Sequence, residues 1–236
     1  MKCNDPTPDA ALQRKYRVRV ALFLVGVIVV VFFLNAVYTG FNTIARLDVV
    51  EAERDQWQRP SDVVAELKLK QGSFVADVGS GSGYFALKLS QAVGKSGRVY
   101  AVDIRKRPLA VLWIRVLFSG RYNIRIVRGD VDDPHLPVGI LDAVLIANAY
   151  HELENPQSTL NHIFGSLRSS GRLVVLDRSS VARDSDKGQE RHQIRPDDVE
   201  LQLRQARLNI LYRQDHFIDR PDGERWWFVV AQKAPQ

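Results

Sequence analysis

The sequence predicts an α/β domain with a mostly parallel sheet, joined to one membrane-spanning helix. Three observations predict it. From residue 71 onward, short runs rich in β-branched residues alternate with helical patterns, as parallel strands joined by crossover helices require. The last two strand-like runs are joined by a connection too short for a crossover. Near the N-terminus, one apolar block is long enough to cross a bilayer. The 236 residues, 45% hydrophobic and 25% charged, suit one globular domain with a short extension.

Residues 1–19 form a basic tail with Lys2, Arg14, Lys15, Arg17 and Arg19. Residues 20–41 read as a transmembrane helix. No charge occurs from Val20 to Ala45, and Val20–Leu34 is unbroken apolar sequence, so the stretch reaches the ~20 residues that a crossing needs. A cleaved signal peptide is the competing reading, but the apolar core is long and no small-x-small cleavage site follows. The charge bias places the N-terminus inside and the domain outside. The bias is only two charges, and the expected arrangement is a single-pass membrane protein with its domain on the cytoplasmic side. Cys3 is the only cysteine, which excludes an internal disulfide and a cysteine-based zinc site.

Residues 42–70 read as a polar linker and a lead-in helix near Ser61–Lys68, and residues 71–236 as the catalytic domain. Strands are expected at Phe74–Val78, Arg98–Asp103, Ile124–Arg128, Leu141–Ala147 and Arg172–Leu176. Helices fall between them at Tyr84–Ala92, Pro108–Ser119 and Ser158–Leu167. After a helix at Asp197–Ala206, the runs Asn209–Tyr212 and Trp226–Ala231 flank Asp219-Arg-Pro-Asp-Gly223. Two strands joined this closely run antiparallel.

The strongest chemical signal is Val75-Ala-Asp77-Val-Gly79-Ser-Gly81-Ser-Gly83-Tyr84. A buried strand ends in a turn with glycine at alternate positions, and a helix begins there. Such a turn lets backbone approach a ligand, and the helix start offers unpaired N–H groups. Asp103 ends the second strand, placed to accept from the hydroxyls of a ribose. The spacing Gly81-Ser-Gly83-Tyr-Phe-Ala86 also fits a dinucleotide fingerprint. Asp77 argues against it, because a carboxylate there repels a pyrophosphate and suits a cationic amino group.

Asp77-x-Gly79-x-Gly81-x-Gly83 resembles the first motif of class I S-adenosylmethionine-dependent methyltransferases, and the similarity runs from about Trp57 to Lys233. The resemblance implies a Rossmann-like seven-stranded sheet of order 3-2-1-4-5-7-6 with strand seven antiparallel. It implies S-adenosyl-L-methionine as cofactor, held by Asp77, Gly79, Gly81, Gly83, Asp103, Asp130, Val131 and Asn148. Asp77 takes the methionyl amine, Asp103 the ribose and Asp130 the adenine amine. Asp142–Glu152 resembles the fourth-strand motif beside the sulfonium and the acceptor, and Leu167–Asp177 the turn into strand five, with Ser170 where a glycine is common. His192-Gln-Ile-Arg-Pro196 is similar to a segment preceding the substrate-side helix of small-molecule methyltransferases.

The acceptor expected is a small molecule, a quinone or lipid near the membrane. The fourth-strand end, Asn148-Ala-Tyr-His151, lacks the two prolines of the N-P-P-Y signature, which disfavours nucleic acid. His151 is the candidate general base, since its ordinary pKa lies near working pH. Glu152 reads as a helix-start charge, and Asp132, Asp133 and His135 as a polar loop, so no metal is required. Arg105-Lys-Arg107 reads as a solvated run. Trp226 and Trp227 are expected on opposite faces of one buried strand. On the helix Pro108–Ser119, Leu109, Leu112, Trp113 and Val116 are expected to cover the sheet, leaving Val111, Ile114 and Phe118 outward. The alternatives are a nicotinamide-dependent oxidoreductase and a membrane-tethered binding module without turnover. The sequence leaves the oligomeric state open.

Overall fold

Short strands with an apolar residue at nearly every position are strands meant to be buried on both faces, and the computed structural model arranges them so. It describes residues 8–180, 194–221 and 223–235. The chain divides into two compact units between Glu53 and Arg54.

Helix α1 spans Pro8–Gln58. The polar linker expected from residue 42 is corrected here, because residues 42–58 are helical. That stretch repeats Ala, Glu, Arg and Gln and has no glycine or proline before Pro60, so nothing in it halts propagation. The helix stops where Arg59 takes a left-handed φ of 54°, just ahead of Pro60. Leu12–Gln58 is long and apolar enough to cross a membrane, judged by length and composition.

The second unit begins at Arg54, earlier than the expected boundary at 71. It adds α2 (Pro60–Glu66), β1 (Phe74–Val78), α3 (Tyr84–Val93), β2 (Arg98–Asp103), α4 (Lys106–Ser119), β3 (Ile124–Arg128) and β4 (Leu141–Ala147). A 3-10 turn at Tyr150–Glu152, α5 (Pro156–Ser166), β5 (Leu167–Ser180), α6 (Pro196–Gln205), β6 (Leu208–Asp219) and β7 (Glu224–Lys233) follow. The sheet order is β3-β2-β1-β4-β5-β7-β6. Strands β1 to β5 pair in parallel, and β7 runs antiparallel to both β5 and β6. The predicted order and the closing hairpin are both present. The last three strands are longer than predicted, since polar residues beyond the apolar runs still join the ladder.

Successive strand residues point to opposite faces, which splits the core in two. Val75, Leu89, Leu112, Val174, Trp226 and Phe228 pack together on one face of the sheet. Ala76, Val144, Leu160, Val175, Leu203 and Trp227 pack on the other. Trp226 and Trp227 therefore divide between the faces as expected. Trp57, in the last turn of α1, packs against Trp226 with ring centroids 5.6 Å apart and planes tilted by 55°. Each fully buried Leu or Val contributes roughly 1.5–3 kcal/mol.

Helix α4 departs from its predicted facing. Leu109, Leu112 and Val116 are buried, but Trp113 is 57% exposed and Arg115 takes the inward place. The Arg115 guanidinium donates to the Ser82 carbonyl at 2.9 Å. This contact holds the helix face at 109, 112 and 115–116, and Trp113, one residue on from Leu112, turns outward. Of the predicted outer stripe, Val111 and Ile114 are half-buried and Phe118 is exposed.

Candidate active site

All five parallel strands end on the same edge of the sheet, and the strand order reverses between β1 and β4. Ligands of open α/β sheets bind in the crevice at such a switch point. A cleft lies there, lined by Val78, Gly79, Asp103, Ile104, Asp130, Val131 and Ala149, among others.

The turn after β1 is built to close tolerances. Gly79 has φ of 77°, and a Cβ at that position would come within 2.3 Å of the Ala149 Cβ. No L side chain fits. Gly83, with φ of 95°, begins α3, and a Cβ there would meet Leu112 at 2.3 Å. The N–H groups of Gly79 and Ser80 donate to the Val102 carbonyl, each at 2.9 Å, which joins the turn to the end of β2. The Gly81 N–H donates to Asp103 Oδ2 at 2.9 Å.

Asp77 sits beneath this turn, 2% exposed. Its Oδ2 has no hydrogen-bond partner among the described residues. Burial pushes its pKa up to about 7, against smaller opposing effects from the Ala86 N–H and the Arg54 charge. A buried carboxylate with an unused acceptor and an unfavourable charge is a receptor for a cation.

Asp103 is buried and already organised. Its Oδ1 accepts from the Arg105 backbone N–H at 2.8 Å and from the Arg105 guanidinium at 3.2 Å. Arg105 was read as part of a solvated run, but Asp103 holds it at the cleft wall, with Glu152 Oε2 3.7 Å away. Asp130 and Val131 line the cleft as well, and Asp130 pairs with His135 Nε2 at 3.2 Å.

The opposite wall follows β4 through Ala149, Glu152 and Leu153, and β4 lies beside β5. Their register pairs Ala147 with Leu176, which sets the residues after Ala147 beside Asp177. Asn148 has a left-handed φ of 55°. Its N–H donates to the Leu176 carbonyl at 2.7 Å, and its buried Oδ1 has no partner among the described residues. His151 lies in the following 3-10 turn. Its Nδ1 donates to Asp177 Oδ1 at 2.8 Å and its backbone N–H donates to Oδ2 at 3.1 Å. The Arg178 N–H adds a third donor at 2.8 Å. Both side chains are buried, His151 at 2% exposure and Asp177 at 0%. The hydrogen bond to Asp177 raises the His151 pKa above its usual value, although burial opposes it.

The structure thus gathers the expected residues around one crevice. Gly79, Asp103, Asp130 and Val131 line the cleft, while Asp77 lies in β1 just before the glycine turn, Gly81 and Gly83 in that turn, and Asn148 and His151 in the segment after β4. His192 lies outside the described residues. Sequence reasoning missed Arg105, Arg115 and above all Asp177 as members of the site. Asp177 was visible as the acid closing the apolar run of strand five, but its partner is 26 residues away and only the strand register joins them.

A family model described as a methyltransferase domain matches residues 76–175. The Ubiquinone/menaquinone biosynthesis C-methyltransferase UbiE of Azotobacter vinelandii is 31% identical over 112 residues, covering 47% of this chain and 44% of the relative. The demethylmenaquinone methyltransferase of a Geobacillus species is 24% identical over 134 residues, 57% of each protein. The chain spans about half the length of the curated relatives it matches. Among solved structures, a SAM dependent methyltransferase from Aquifex aeolicus superposes with a TM-score of 0.64 at 26% identity, covering 73% of this chain and 88% of that one. The [4+2]-cyclase SpnF shares the fold, with a TM-score of 0.66 at 14% identity over 76% of this chain and 82% of its own.

Proposed function

We propose that the unit Arg54–Gln236 is a class I S-adenosylmethionine-dependent methyltransferase domain, and that the chain methylates a small lipophilic acceptor of the quinone type at a membrane. The observation that carries this reading is two unlike buried carboxylates, each next in sequence or by hydrogen bond to residues that adjoin the crevice. Asp77 waits with an unused acceptor, and Asp177 is committed to His151.

The residues fit the cofactor by their chemistry. Asp77 is suited to the cationic amine, Asp103 to the ribose hydroxyls, and Asp130 with Val131 to the adenine. The glycine turn lets the backbone come close without side-chain interference. When bound, S-adenosylmethionine supplies an electrophilic methyl group on a positively charged sulfur. The protein's own contribution is then to position the acceptor and to take its proton. With His151 Nδ1 donating to Asp177, Nε2 is the nitrogen that accepts. A hydroxyl proton taken there makes an imidazolium, which the Asp177 carboxylate stabilises, and the acceptor becomes electron-rich enough to attack.

The quinone class rests on the relatives' names and on the chain's own apolar helix. Helix α1 would hold the domain at a bilayer, where such acceptors dissolve, with the catalytic unit on the cytoplasmic side. The test is transfer of labelled methyl from S-adenosylmethionine into a quinol-containing lipid extract by the full-length chain in detergent. Turnover is expected, and His151→Gln should lower kcat by ~10²–10⁴ while leaving cofactor affinity unchanged. Cofactor binding without label transfer to any lipid would favour the binding-module alternative.

A further inference from the structure

Helix α4 and the turn that follows it form a surface that the catalytic reading leaves unused. Trp113, Leu117 and Phe118 project from the outer side of α4, and Tyr122 follows its last turn. Phe118 is 81% exposed and Tyr122 74%. Singly exposed apolar residues need no explanation, but three aromatic rings within ten residues form a patch.

The stretch that carries the patch has charge of one sign. From Ile104 to Gly129 there is no acidic residue, while Arg105, Lys106, Arg107, Arg115, Arg121, Arg125 and Arg128 supply seven bases. Arg115 turns inward to the Ser82 carbonyl and Arg105 engages Asp103. Lys106, Arg107 and Arg125 are exposed. Strand β3 ends the sheet order, and Arg125 reaches over the Tyr100 ring on the sheet face away from α4, which leaves Lys106 and Arg107 as the exposed bases of the helix. Bulky aromatics flanked by Arg and Lys and free of acids complement an anionic lipid surface: rings settle at headgroup level and bases pair with phosphate.

We propose that this surface, α4 with the turn that follows it, docks on an anionic bilayer. Ile104 is both exposed and part of the cleft wall, so the docking surface and the crevice are continuous through the residues that begin α4. A domain seated this way takes a lipophilic acceptor from the membrane without passing it through water. The proposal rests on the reading of α1 as a membrane anchor, which carbonate extraction decides separately.

The test uses the full-length chain in nanodiscs holding one copy each, made of phosphatidylcholine with or without phosphatidylglycerol. Brominated lipids quench tryptophans at the bilayer, and comparison with Trp113→Phe isolates the Trp113 signal from those of Trp57, Trp226 and Trp227. Strong Trp113 quenching is expected with phosphatidylglycerol, falling with salt as exposed charges are screened. Replacing Lys106 and Arg121 by Glu should cut the docked fraction about tenfold or more, without changing the protein's melting temperature. A Trp113 signal that stays unquenched while carbonate leaves the chain in the pellet overturns docking and spares the anchor. Protection of Trp113 in detergent that grows with protein concentration would make a second copy the occupant and would equally overturn it.

Discussion

Two carboxylates near the crevice are almost equally buried and stand in opposite circumstances. Asp77 closes β1 with an acceptor oxygen unpaired among the described residues, and burial keeps its pKa near 7. Asp177, in β5, accepts from the His151 imidazole, the His151 N–H and the Arg178 N–H. The folded chain already meets the needs of the second and leaves the first to a ligand. What differs is therefore the source of compensation, protein in one case and cofactor in the other. Removing each should have opposite consequences for stability.

The largest effect is expected at Asp177. Asp177→Leu leaves a buried imidazole and two backbone donors without their acceptor, and breaking such a pair costs about 3–5 kcal/mol. Melting temperature should fall by roughly 6–20 °C for a domain of this size. The double variant Asp177→Leu with His151→Leu should recover part of that loss, which separates the pair's coupling from simple cavity effects. The milder Asp177→Asn bears on turnover. His151 must be neutral to accept a proton, and the Asp177 hydrogen bond raises its pKa. Turnover should then fall as pH drops through a value above the ordinary 6.5. In Asp177→Asn that acid limb should move to lower pH. An acid limb that stays in place would show that His151 does not carry the titration.

At Asp77 the sign reverses. A carboxyl whose folded pKa lies near 7, against 3.8 ordinarily, binds a proton in the folded state that the unfolded chain has already released. Its stabilising contribution is full in acid and is lost as pH rises from about 4 to 7. Asp77→Asn should accordingly stabilise the cofactor-free protein above pH 7 by roughly 1–2 kcal/mol, a gain set against function. The same change should weaken S-adenosylmethionine binding about 10- to 100-fold by removing a charge-assisted hydrogen bond. In the unaltered protein, binding near pH 6 should release a proton from Asp77. Calorimetry in buffers of different ionisation enthalpy would detect it. Equal affinity for the two proteins across pH 6 to 8 would break the contrast between the carboxylates.

The cofactor side of this comparison was legible in the sequence, and the acceptor side only half so. Asp77, the glycines and Asp103 lie within one β-α-β stretch, where a turn geometry that only glycine allows leaves its mark in neighbouring letters. The strand order could be inferred from the resemblance, and the antiparallel end from the five-residue connection alone. The pair His151–Asp177 depends on β4 lying beside β5 in a fixed register, which local pattern does not encode. Arg115 misled for a related reason. A charged residue on an apolar helix reads as outward, but the carbonyl of Ser82 gave it a buried partner and turned Trp113 to the surface. Residues 42–58 were misread by composition, because polar residues of high helix propensity extend a helix as readily as they form a linker.

The smallest effect on stability, and the sharpest test of how the two sides meet, is expected at Asn148. It follows β4 directly, in a left-handed conformation that asparagine tolerates better than most residues. Glycine adopts that conformation without strain but loses more chain entropy on folding. Asn148→Gly should therefore change stability by no more than ~0.5 kcal/mol, since the backbone N–H that donates to Leu176 is retained and the lost amide oxygen had no partner among the described residues. The amide is dispensable to the fold. If its oxygen serves the cofactor, as the resemblance implies, S-adenosylmethionine affinity should still fall, by about 3- to 10-fold for one neutral hydrogen bond. A drop in affinity at constant melting temperature would place Asn148 with Asp77, as a group whose partner arrives with the ligand. Unchanged affinity would assign it to the protein-satisfied side with Asp177, leaving its left-handed turn as its sole contribution.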